Sequence, residues 1–347
     1  SSYVYLERTF GPLVGTISGL GLWLSLLFKT SFALVGIGTY LIVMADFSLQ
    51  SIVLVLLVGI LALNIVGIGK VGGAVIVLVV ISIAGLTGIN VAGDVRVDFA
   101  SFDPFLADGW AGLASATGLV FVSFAGVTKI AAVAEEVVNP EKNLSRGILI
   151  SLGIITVIYC VTAFVLAGVV PQDVLIGDLK PIHTLAETIG GPLLGYFASV
   201  LAILTLASIA NSGVLAASRF PFAVSRDHLL PSFIGKINAR YLTPVTSILL
   251  SGLVVLVTVY SLPVEKIAKF ASVFLLVIYL SENLAVIILR ETRVSWYNPG
   301  YTSAISALMP TKSWQSVLKI ISSLLWTKSQ PPHVMLSSTG KQKRQRW

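Results

Sequence analysis

Ser123, Gly126, Thr128 and Lys129 interrupt the apolar run "FVSFAGVTKIAAVAEEVVNP" at residues 121–140, which then ends on the acids Glu135 and Glu136. Inside a bilayer, every backbone amide and carbonyl needs a partner from helix, neighbouring protein or cavity water. The interruption therefore has two readings. Small residues let neighbouring helices approach closely. Alternatively the helix is discontinuous here, and its freed N–H groups and positive end face a polar group such as a carboxylate. Three further polar residues, Ser208, Asn211 and Ser212 in "LASIANSG", have the oxygens that a cation such as Na⁺ accepts, or else hydrogen-bond one helix to another. Lys29, in "LLFKTSFAL", costs a few kcal/mol at mid-span and calls for a cavity or a partner, since snorkelling from there is strained. Lys129 poses the same question, and neither Ala132 nor Val133 one turn on can pair with it.

The elements that position these residues are set by composition. Of 347 residues, 56% are hydrophobic and 11% charged, against about 25% charged in soluble domains. A mean hydropathy of +0.93 agrees with an integral membrane protein. The net charge of +7 is scattered between apolar runs, which argues against a nucleic-acid surface. Cys160, within "ILISLGIITVIYCVTAFVLAGVV", has no internal disulfide partner and reads as a small buried side chain. His183, His228 and His333 lack metal-ligand spacing. No HExxH, GxSxG, nucleotide-binding loop or paired intramembrane Asp occurs, so neither an enzyme nor a primary pump is expected.

A crossing needs roughly 20 apolar residues. Eight runs qualify, at about 12–44, 51–69, 71–92, 112–138, 147–170, 184–217, 243–261 and 266–289. They lack the alternation of barrel strands, so an all-α architecture is expected. The first and sixth are long enough that they must tilt or project from the bilayer. With the residues before the first run on the cytoplasmic side, the cytoplasmic loops hold Arg8, Lys70, Lys142, Arg146, Arg219, Arg226, Lys236 and Arg240. The opposite loops hold Arg96, Lys180 and Lys266 among seven acids, which satisfies the positive-inside bias. Residues 294–347 read as a basic cytoplasmic tail, in which 314–326 can lie at the interface.

Three blocks carry a family resemblance. "FVSFAGVTKIAAVAEEVVNPEKNLSRGILIS" resembles span six of the amino acid–polyamine–organocation (APC) transporter superfamily, with its broken helix and NPxxN loop. "LAASRFPFAVSRDHLLPSFIGKINARYLTPVTSILLSG" resembles the family's loop between spans eight and nine, and "YVYLERTFGPLVGTISGLGLWLS" its entry into span three. The motif resemblance ends near Tyr297, Asn298 and Pro299.

The resemblance implies an inverted-repeat (5+5) transporter fold in which residues 1–293 are spans three to ten, eight transmembrane helices with the first two spans missing. An upstream segment is therefore expected. It implies substrate contacts at Phe121, Ser123, Phe124, Ala125, Gly126 and Thr128, with Thr30 and Ala33 across the pocket. It gives Lys29 or Lys129 a role in charge or coupling, Ser208, Asn211 and Ser212 an ion site, and Glu135, Glu136 and Arg8 a cytoplasmic gate. Helix packing, boundary charge and core aromatics are the plainer readings of the same residues. Two departures weigh against proton coupling at the positions used by relatives: Thr128 stands where some carry an acid, and "GGAVIVLVVISIAGL" has no mid-span Lys. The function implied is secondary transport of amino acids or related amines across the cell membrane, driven by an ion or exchange gradient, with Na⁺ or H⁺ as the candidate coupling ion and with no cofactor and no metal. A non-transporting substrate-binding or regulatory subunit, or an inactive fragment, is the alternative.

Overall fold

In a computed structural model, the described residues are 6, 9–44, 47–67, 72–103, 109–124, 126, 139–226, 231–241 and 243–292. They are helical, with no strand among them. We label the helices α1 (Pro12–Ile42), α2 (Leu49–Val66), α3 (Gly72–Asp94), α4 (Gly109–Val120), α5 (Pro140–Val169), α6 (Pro181–Arg226), α7 (Val245–Ser261) and α8 (Val264–Thr292). Single helical turns at Phe99–Phe102, Phe121–Phe124 and Gln172–Leu175 punctuate them.

Among the described residues, six stretches are long and apolar enough to cross a membrane: Leu13–Ile42, Leu49–Val66, Ile76–Asp94, Lys142–Val169, Pro181–Ser225 and Val264–Leu289. Gly109–Phe124 and Val245–Ser261 are shorter apolar helices. Among the described residues, those from 19 to 280 belong to one compact unit, and the first turns of α1 and the last turns of α8 to a second.

Helix boundaries follow local chemistry. Ser48 caps α2 by accepting the Ser51 amide, and Gly67 closes it at φ 75°, donating its N–H to the Leu63 carbonyl. At the start of α5, Asn139 takes a left-handed conformation (φ 51°) and Pro140 opens the helix. The charged segment "NPEKNLSRG", expected as a loop preceding a span from 147, is instead the opening of α5 from Pro140 onward. Proline at the first helical position loses no intrahelical bond, so the helix starts there.

The buried face of α2 carries Val53, Leu57, Ile60 and Asn64, spaced four, three and four apart, as one face of a helix requires. It packs with Leu27, Leu34 and Ile37 of α1, Ala210 and Val214 of α6, and Ile248 and Val255 of α7 into one core cluster. A second cluster joins Ile89 of α3, Val165 of α5, and Leu185, Ala186 and Ile189 of α6. The outward faces remain apolar, with Val55 71% and Val157 63% exposed, as lipid contact demands. Cys160 lies on the exposed face of α5, not in the interior expected of it. Only 6% of the apolar window of α5 is buried, so few of its side chains meet another helix.

Contacts between helix ends show successive helices running in opposite directions. At one end, Tyr260 Oη donates to the Gln50 carbonyl (3.1 Å), and the Arg96 guanidinium to that of Thr188 (3.1 Å). There too the Asp98 amide donates to the Gly168 carbonyl (2.8 Å). At the other, Thr243 Oγ1 donates to the Ile65 carbonyl (2.7 Å), tying the start of α7 to the end of α2.

α6 is not the unbroken long helix expected from the sixth run. Gly191, at φ 76° and ψ −175°, lies in a region open essentially to glycine alone and divides the helix into 181–190 and 192–226. Pro192 follows it and disfavours the helical conformation in the residue before it.

Candidate substrate site

α4 ends at Val120, and Phe121–Phe124 continues as a 3₁₀ turn. Aromatic and β-branched side chains lose rotamer freedom in an α-helix, and a serine competes for backbone bonds, so Phe-Val-Ser-Phe is a weak place to extend one. At a helix end the last carbonyls lack their usual intrahelical N–H donors. The Leu119 carbonyl takes the Ser272 hydroxyl of α8 at 3.2 Å.

Two aromatic contacts hold the turn from either side. Phe121 meets Tyr279 of α8 edge-on, with ring centroids 5.6 Å apart, and Phe124 meets Tyr159 of α5 at 5.5 Å. Ser123 and Gly126 are exposed, and a Cβ added at Gly126 would meet nothing within 4 Å. The turn thus places the Ser123 hydroxyl on the surface between two half-buried phenylalanines. Ala125, Thr128, Lys129, Glu135, Glu136 and Arg8 lie outside the described residues.

The α1 candidates sit in a tighter setting. Thr30 is fully buried, and its hydroxyl donates to the Leu26 carbonyl at 2.8 Å. Its Oγ1 occupies the space that a Cβ at Gly213 of α6 would need. No room separates Thr30 from α6, so a ligand reaches this hydroxyl only if the helices part at Gly213. Ala33, 1% exposed, belongs to the core cluster with Ala210 and Val214. Lys29 is half-buried beside Phe28, whose ring packs on Phe270 and Phe274 of α8 at 5.6 and 5.9 Å.

Asn211 Oδ1 accepts a hydrogen bond from Asn64 Nδ2 at 2.8 Å, while the same Nδ2 donates to the Ile60 carbonyl at 2.9 Å. Ser212 donates to the Ile209 carbonyl at 3.1 Å, and Ser208 is half-buried. The structure therefore places Thr30 beside Gly213, the neighbour of Ser212, while Phe121 and Phe124 are held by α8 and α5. Among the described residues no group of three or more His, Cys, Asp or Glu side chains is placed to ligate a metal. An open apolar groove of about 620 Å³ runs along α6 past Gly190, Leu193, Leu194, Tyr196, Phe197 and Val200, and includes none of the candidates.

Residue reading missed Asn64, Tyr159 and Tyr279. Asn64 had a signal: a carboxamide inside "LLVGILALNIVGIG" is unexpected in lipid unless it bonds to another helix. The tyrosines had none, since an aromatic in an apolar run reads the same whether it faces a partner or lipid.

The sequence pattern of amino acid permeases matches residues 1–326. The chain belongs to the amino acid permease family. The match continues past Pro299, where the motif resemblance ends. Branched-chain amino acid permease BcaP of Bacillus subtilis is 28% identical over 191 residues, covering 55% of this chain and 41% of that protein. The methylthioribose transporter of the same bacterium is 31% identical over 218 residues, or 62% and 46%. Cationic amino acid transporter 3 of Arabidopsis thaliana is 28% identical over 179 residues, or 52% and 29%. The alignments thus cover less than half of each of these relatives.

Proposed function

We propose that this permease is a secondary transporter of amino acids or related amines that works by alternating access around the broken segment at 121–129. The observation that carries the reading is the passage from α-helix to 3₁₀ turn at Phe121, which leaves Ser123 and Gly126 exposed between two aromatic rings. Hydroxyl and backbone groups suit the polar end of an amino acid, and the rings suit its side chain. The relatives are named for branched-chain amino acids, methylthioribose and cationic amino acids, which leaves the side-chain class open.

In this reading α1–α8 are spans three to ten of an inverted 5+5 repeat in the cell membrane. Residues 1–293 form the permease domain, and the cytoplasm holds the segment before α1 and the tail 294–347. The alternating helix directions support that topology. Ser208, Asn211, Ser212 and the two lysines remain the candidates for a coupling Na⁺ or H⁺, and Glu135, Glu136 and Arg8 for the gate. Thr30, closed off by Gly213, becomes available to substrate when α1 and α6 separate.

Counterflow into proteoliposomes tests this directly. Labelled leucine, arginine and methylthioribose are offered to vesicles preloaded with the unlabelled compound. Saturable accumulation of at least one is expected, with Phe121→Ala and Ser123→Ala raising KM more than they lower the maximal rate. No accumulation of any of the three, from protein that folds, sinks the transport reading for this chain.

A further inference from the structure

The chain from Pro231 to Thr243 lies between α6 and α7 and contains no acid. Its backbone is fastened at several points. The Pro231 carbonyl accepts the Ser225 hydroxyl of α6 at 2.8 Å, and the Ile234 amide donates to the same carbonyl at 3.1 Å. The Ile234 carbonyl in turn accepts the Ser247 hydroxyl of α7 at 2.9 Å. Further on, Asn238 Oδ1 accepts the amides of Arg240 (2.9 Å) and Tyr241 (3.3 Å). The Asn238 amide donates to the Thr243 carbonyl at 3.0 Å. An asparagine bonded to its own chain two and three residues on shapes a turn by itself. The loop is thus a built feature that holds its side chains in place.

Those side chains divide by chemistry. Ile234 is 7% exposed, whereas Phe233 and Ile237 on either side of it are each 56% exposed. Lys236 and Arg240 are exposed beside them, and the Arg240 guanidinium lies 5.5 Å from the centre of the Tyr241 ring. Two large apolar groups and two cations, with no acid among them, suit the boundary of an anionic bilayer. There hydrocarbon and phosphate lie within reach of one short loop.

Position decides the occupant. Thr243 ties the loop to the Ile65 carbonyl, one residue before α2 ends at Val66. α2 has 18 residues, which at ~1.5 Å each span about 27 Å, close to the hydrocarbon core of about 30 Å. Its end therefore marks one edge of the bilayer, and the loop sits at that edge. The chain's own tail is a poor cover, because Lys341, Lys343, Arg344 and Arg346 carry the same sign as Lys236 and Arg240. We propose that residues 231–241 form an interfacial anchor for anionic phospholipid. Phe233 and Ile237 enter the boundary between headgroups and acyl chains, and Lys236 and Arg240 pair with phosphate.

Lipid held here acts on the helices that the loop bonds. The loop carbonyls take Ser225 near the end of α6 and Ser247 in the first turn of α7, so an anchored loop steadies both helix ends. In the topology proposed above this is the cytoplasmic end, where the leaflet is rich in anionic lipid. The anchor does not need that assignment, since the bilayer used below has the same lipids in both leaflets. Nor does it need transport.

The test puts a bimane fluorophore on Ala239→Cys, an exposed position that the anchor does not use, in a Cys160→Ser background. The whole chain is set in nanodiscs of mixed phosphatidylcholine and phosphatidylglycerol, one of the two carrying a nitroxide on the acyl chain near the headgroup. Labelled phosphatidylglycerol is expected to quench the fluorophore more than labelled phosphatidylcholine at equal content. Lys236→Gln and Arg240→Gln should each lower that preference about fivefold, the worth of one basic side chain near an anionic surface. Phe233→Ser combined with Ile237→Ser should reduce quenching by both lipids. All four side chains are exposed, so these changes leave the fold in place. Equal quenching by the two lipids, or a preference that neither charge variant alters, overturns the anionic site. A label that aqueous iodide quenches and neither lipid reaches overturns the anchor. A label that neither iodide nor lipid reaches is covered by protein, and a second copy then occupies the surface in place of lipid, which also overturns it.

Discussion

Asn64 and Asn211 spend one carboxamide contact on joining α2 to α6, and the same oxygen cannot at once serve a cation without weakening that bond. A double-mutant cycle separates the two roles. Asn64→Ala with Asn211→Ala should show a coupling of about 0.6 kcal/mol in a thermal or denaturant assay, the size of interhelical hydrogen bonds in membrane helices. A Na⁺-dependent rise in stability that Asn211→Ala abolishes and Asn64→Ala leaves in place would assign the residue to an ion site. Thr30 invites a sharper test. Gly213→Ala places a methyl group on the Thr30 hydroxyl and should cost about 1–3 kcal/mol, as overpacking does. Thr30→Ala in the same chain should recover most of the loss, because the next nearest atom, Thr30 Cβ, stands at 3.4 Å. A double variant no more stable than Gly213→Ala would show that the contact does not govern this packing.

The elements behave according to what interrupts them. α4 is interrupted by residues that extend a helix weakly, and α6 by a backbone conformation that no side chain tolerates well. Gly191→Ala should therefore cost about 1–3 kcal/mol. Gly190→Ala should cost less, because its φ is not positive and the nearest atom a Cβ there would meet, Leu194 Cδ2, is the far end of a side chain that can turn away, leaving a tight 3.1 Å contact with Leu194 Cβ. Equal losses measured by thermal melting would mean that the positive φ at Gly191 does not control the break. The opening of α5 is a third case. Pro140, at the end of the apolar run 121–140, opens the next helix, a common duty for proline at a first helical position.

For the whole molecule, the proposal of opposite faces makes a labelling prediction. In a Cys160→Ser background, Ile176→Cys should react with a membrane-impermeant thiol reagent added outside intact cells. Asn238→Cys, at the end where α7 begins, should react only after permeabilisation. Reaction of both from one side would rule out the alternating topology. The wide apolar faces of α3 and α5 fit lipid contact, and a solvent-exposed helix would not retain Val157 at 63% and Ile150 at 62% exposure without aggregating.

What the sequence determined by itself is what depends on local composition and on order along the chain. Apolar runs located the helices to within a few residues at most ends, because the lack of water in a bilayer forces long uncharged stretches to satisfy their own backbone. α4 gives way to a 3₁₀ turn at Phe121–Phe124, and three ordered motifs pointed to the family that the match over residues 1–326 establishes. Partnerships were decided by the tertiary structure. Asn64 and Asn211 are 147 positions apart, and Phe121 and Tyr279 are joined only when α8 folds back on α4. Which polar side chains bond across helices, which glycines admit a neighbour, and that His183 meets Ser199 from the other side of Gly191 are facts of packing, and packing is set by the faces that helices turn toward one another.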